Sequence, residues 1–214
     1  MNGITASTAP WYASRATGIV SLLLFTAVMV LGILVNRQGR LPGLPRFAVT
    51  NLHRNLSLLA VIFLAIHIVT AVMDSFVSIP LISAVVPFTS GYEAFWLGIG
   101  AVSLDIMLAL IATSLVRGRL NRKVWKAVHW LAYASWPIAF AHSIGSSTDL
   151  QHGLLLILAI ACAAVVAAAL AWRIAAAARE VPRAQRVSAL LDRSRPGHQA
   201  ARRPAAPADR ITVR

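Results

Sequence analysis

The sequence predicts an all-α, five-span transmembrane helical bundle, N-terminus outside and C-terminus in the cytoplasm, with a disordered basic tail. Two observations carry the class. Apolar residues make up 58% of the chain and charged ones only 13%, the balance of an integral membrane protein. The apolar residues also fall into five runs of about 20, enough to cross about 30 Å of hydrocarbon at about 1.5 Å per residue. A third observation, where the basic residues lie, sets the orientation.

The expected spans run from Thr17 to Val35, Leu52 to Val72, Phe95 to Val116, Trp125 to Ser146 and Gly153 to Ala175. A formal charge of +13 would suit a nucleic-acid binder. The basic residues, however, sit between spans and after the last one, so topology accounts for them and no nucleic-acid partner is expected. Arg37, Arg40, Arg46 and Arg54 mark the first connection, Arg117, Arg119, Arg122, Lys123 and Lys126 the third, and the rest follow span five from Arg173 onward. The N-terminal segment has only Arg15, and the other two loops carry only Asp74, Glu93 and Asp149. The positive-inside rule therefore puts the N-terminus outside. Trp11, Tyr12, Trp96, Trp125 and Trp172 fall near span ends, as an aromatic belt places them.

Three regions follow: an outer segment 1–16, in which no removable signal peptide is read, a transmembrane domain 17–176, and a basic tail 177–214 that faces membrane lipid. The loop from Met73 to Ala94 contains VSIPLISAVVPF, too short and too Pro-interrupted to span. It either lies at the outer interface or folds over the outer end of the bundle. Cys162 is the single cysteine, which excludes a disulfide framework and a Cys-based metal site.

The chemistry rests on four histidines inside apolar spans, where histidine is costly unless it faces a polar cavity or holds something. His53 and His67 are fourteen residues apart. At about 100° per residue that ends about 40° short of whole turns, so they share a face, about 21 Å apart along the axis. That is room for two stacked macrocycles and too far for one metal site. His129 and His142 are thirteen apart, about 140° out of register on an ideal helix. Pro137 lies between them, and an irregular turn near Trp136 and Pro137 is expected to bring His142 round. Spans two and four run in the same direction, so His53 pairs with His129 near the inner face and His67 with His142 near the outer. Two neutral imidazoles fill both axial positions of a haem iron and suit it to electron transfer. With no CxxCH in the chain, two non-covalent b-type haems are expected.

A His-x13-His span followed two spans later by a His-x12-His span resembles the ferric reductase-like transmembrane domain. Ferric reductases, NADPH oxidases and the haem-binding subunit of the bacterial methionine sulfoxide reductase system share that domain. The strings ASRATG at 13–18, LHRNLSLLA at 52–60 and AVHWLAY at 127–133 are similar to actinobacterial members. The resemblance covers about residues 15 to 175. It implies two b haems on His53, His129, His67 and His142, passing electrons outward as an oxidoreductase component. The larger members carry a further N-terminal span and a cytoplasmic FAD and NADPH domain. Residues 177–214 lack a Gly-rich phosphate loop, so no flavin or nicotinamide site is expected in this chain. The donor is then a separate reductase, flavoprotein or quinol, and the outer acceptor is ferric iron, oxygen or a flavin-bearing partner. A methionine sulfoxide reductase-type haem subunit is the nearest alternative. A non-redox transporter or anchor, whose buried His and Asp residues carry protons, is the other.

Among further residues, Arg54 beside His53 and Arg15 at the outer end of span one are candidates for pairing with haem propionates. Interface anchoring is the competing role for both. Lys123 and Lys126 are read as topology signals, His152 as a solvated loop residue, and Asp105 either as a functional acid or as a structural hydrogen-bonding group.

Overall fold

The computed structural model describes residues 8–36 and 45–194. Among these every regular element is a helix. Arg37 and Arg40 of the first connection, the first seven residues of the outer segment, and residues 195–214 of the basic tail lie outside the described residues.

Helix α1 (Ala9–Asn36) starts with Pro10 in its first turn, where a missing amide hydrogen costs nothing. Helix α2 (Arg46–Val72) follows Pro45, and a 22-residue α4 (Ala94–Leu115) lies beyond the short α3 (Ile82–Val85). Helix α5 (Arg122–Trp130) is capped by Asn121, whose side chain accepts from the Lys123 amide at 2.8 Å. Helix α6 (Ala132–Ser146) follows directly, and α7 runs from Gly153 to Ser194.

Among the described residues four helices are long and apolar enough to cross a membrane, over Ala9–Val35, Phe47–Val72, Ala94–Leu115 and Gly153–Arg179. The expected fourth span, from Trp125 to Ser146, is not one of them, because it is divided between α5 and α6. Leu131 is the joint. Its amide bonds the carbonyl of Val128 at 2.9 Å, and its own carbonyl takes the amides of Ala134 and Ser135. The irregular turn expected near Trp136 and Pro137 is therefore six residues before the proline, and Pro137 itself sits inside continuous helix. A proline ring presses on the carbonyl four residues back, and here the helix tightens just upstream of that carbonyl.

The chain divides into two units after Leu170. In the second, helix persists to Ser194, so residues 177–194 are helical where a disordered tail was expected. The AAAA run at 175–178 and the Arg, Ala and Leu residues beyond it are strong helix formers.

In the first unit α1 packs on α2, α4 on α6, and α1 on α6. A buried cluster of Met29, Trp136, Cys162 and Val166 ties α1, α6 and α7 together. Inside it Trp136 Nε1 donates to Thr26 Oγ1 at 3.1 Å, and Thr26 donates to the carbonyl of Leu22 at 2.8 Å. Ser103 of α4 and Ser135 of α6 share a buried hydroxyl pair. On α2, Leu58, Ile62, Ile66 and Val69 form an exposed stripe, the face left for lipid. At about 100° per residue, His53 and His67 lie on the opposite side of the helix.

Candidate functional site

The histidine-bearing helices α2 and α6 each pack along a neighbour and not extensively on each other. Between them, at the end holding His67 and His142, is a cavity of about 280 Å³ lined by both. Asp74, Ile79, Ser83 and Tyr92 of the 73–94 loop also line it, so that loop folds over this end of the bundle.

Three of the imidazoles are oriented by a neighbouring helix. His67 Nδ1 bonds the main-chain carbonyl of Ser14 at 2.8 Å, His53 Nδ1 that of Val28 at 3.1 Å, and His142 Nδ1 that of Trp96 at 2.8 Å. A carbonyl only accepts, so in all three Nδ1 carries a proton, and in the neutral ring Nε2 is then the nitrogen with the lone pair. The carbonyls are reachable because glycine stands four residues on. A Cβ at Gly18 would meet Cε1 of His67 at 3.0 Å, at Gly32 Cε1 of His53 at 3.3 Å, and at Gly100 Nδ1 of His142 at 2.6 Å. Ser14 and Val28 are fourteen apart, as are Gly18 and Gly32, which matches the fourteen between His53 and His67 on antiparallel α2.

The sequence reading missed these glycine seats. The signal was present in the equal spacings, but nothing in one sequence says which glycine faces which ring.

His67 and His142 line the same cavity. His129 differs from the rest: its Nδ1 is buried without a hydrogen-bond partner, and its ring stacks on Trp125.

Among the flanking candidates, Arg54 is exposed. Arg15 lines the cavity, lies 4.1 Å over the Trp11 ring and forms an ion pair with Asp149. Lys123, Lys126 and His152 are exposed, and Asp105 is half-buried on α4 away from the cavity lining.

Among the described residues no group of three or more His, Cys, Asp or Glu side chains is placed to hold a metal ion. Paired as the sequence suggests, two imidazoles are too few for a bare ion and would fit a metal whose remaining positions a macrocycle supplies, with the Nδ1–H groups of His53, His67 and His142 held away from it.

Residues 17–140, more than half of the chain, match the family model described as ferric reductase like transmembrane component. No curated protein and no solved structure matches the chain.

Proposed function

The chain belongs to the ferric reductase like transmembrane component family, and from that premise we propose that it is a b-type cytochrome of the membrane, holding two haems on paired histidines. It is a multi-pass integral membrane protein, and its family is one of membrane electron-transfer components. In this reading His53 and His129 hold the inner haem and His67 and His142 the outer. A haem bound by two imidazoles supplies one-electron transfer with no open position on the metal.

The observation that carries the reading is the shared arrangement of His53, His67 and His142. Each donates Nδ1–H to a helix carbonyl beside a glycine. Such a bond sets the tautomer and the ring plane and raises the basicity of Nε2, which is what an axial ligand requires. Apolar side chains form most of the cavity wall, with Arg15 and Asp74 among the polar groups in it. Arg15, in the lining of that cavity, would be the residue to pair with a carboxylate of the cofactor, with Asp149 as its present partner.

With α5 and α6 together making the fourth crossing, the basic connections fall on the cytoplasmic side. Electrons then enter from a separate reductase, flavoprotein or quinol and leave at the outer face to ferric iron, oxygen or a flavin-bearing partner.

The test is a visible spectrum of the purified full-length protein with haem quantified per chain. Two b haems per chain with the sharp reduced bands of low-spin iron are expected. A protein purified from haem-replete cells that shows no such bands would instead be a transporter or anchor.

A further inference from the structure

Three of the imidazoles are held by a main-chain carbonyl, and His129 is not. Trp96 lies opposite His142, and Ser103 opposite Ser135, seven residues forward on α4 for seven back on α6. That register holds within α6; His129 lies on α5, before the irregular turn at Leu131.

His129 has a different support. Trp125, one turn earlier on α5, stacks on it with ring centroids 4.8 Å apart and planes 20° from parallel. The Arg117 guanidinium lies 4.2 Å over the Trp125 ring, a cation on a π face that pins the indole in turn. Stacking restrains the plane of the imidazole but leaves Nδ1 without the acceptor that anchors the other three.

We propose that Trp125, with Arg117 laid over it, is the positioning residue of His129, and that the His53 and His129 site therefore has the more easily released ligand of the two. This rests on the four histidines being haem ligands.

The experiment compares wild type, Trp125→Phe, Trp125→Leu and Arg117→Gln as full-length proteins. It reads haem per chain, the low-spin electron paramagnetic resonance signals of the oxidised state, and carbon monoxide binding to the reduced state. Trp125→Leu is expected to lose or shift one of two low-spin signals, admit carbon monoxide at that haem, and weaken its retention by about 10- to 100-fold, the usual cost of removing a ligand's supporting partner. Trp125→Phe keeps a stacking ring and is expected to retain both signals. Arg117 is exposed, so Arg117→Gln carries the test even where Trp125→Leu does not fold, and it is expected to shift the same signal alone. Both signals unchanged in Trp125→Leu and Arg117→Gln, both disturbed equally, or no rescue by Trp125→Phe would each overturn the proposal. A wild type without haem would overturn the functional reading itself, and this inference with it.

Discussion

A methyl group at Gly100 would stand 2.6 Å from Nδ1 of His142. Helix α4 can therefore carry nothing larger than hydrogen at this point while the ring keeps its bond to the Trp96 carbonyl.

Substituting the three seats should produce a graded series. The gap closes from 3.3 Å at Gly32 through 3.0 Å at Gly18 to 2.6 Å at Gly100, so displacement of the ring increases in that order. Gly100→Ala is expected to lower haem retention at the outer site by about 10- to 100-fold, Gly18→Ala by less, and Gly32→Ala least, at the inner site. Haem per chain and low-spin signals measure this; an inverted order would show that the glycines do not seat the rings.

His67→Ala or His142→Ala should remove the outer haem and leave much of the inner one. Pyridine haemochrome titration would read close to one haem per chain in either variant. Equal loss of both haems, or of neither, would show the pairing to be wrong.

Thr26→Val removes the acceptor of Trp136 Nε1 within the buried cluster. An unpaired buried donor costs about 1–3 kcal/mol. The variant should therefore unfold at a lower temperature in detergent while its haem spectrum stays as in wild type. Unchanged thermal stability would mean that the indole finds another partner.

Arg15 and Asp149 are separable by single substitutions. Their side chains are 28% and 41% exposed, so solvent screening keeps the pair near 0–1 kcal/mol, about what surface pairs are worth. Asp149→Asn should hardly alter melting temperature or haem content. Arg15→Gln should lower outer haem content if the guanidinium serves a propionate. Equal haem content in the two variants would leave Arg15 as an interface anchor.

Much of the site was legible because helical periodicity is local. The interval between His53 and His67 alone places both rings on one face of α2, and both Nδ1 atoms bond carbonyls of α1. The break at Leu131 was not legible at its true position. Proline marks where a helix is weakened, whereas neighbouring packing chooses which nearby residue absorbs the change.

By itself the sequence determined the membrane class, the long apolar helices and the four histidines with their spacings, since each depends on composition or on the 3.6-residue repeat. Only the tertiary structure decided that Gly18, Gly32 and Gly100 seat three of the rings and that Trp125 stacks on His129. Those contacts join residues brought together by the crossing of α1 with α2, by the register of α4 against α6, and by one turn of α5. That register is set by side-chain packing along the whole interface, not by any local pattern.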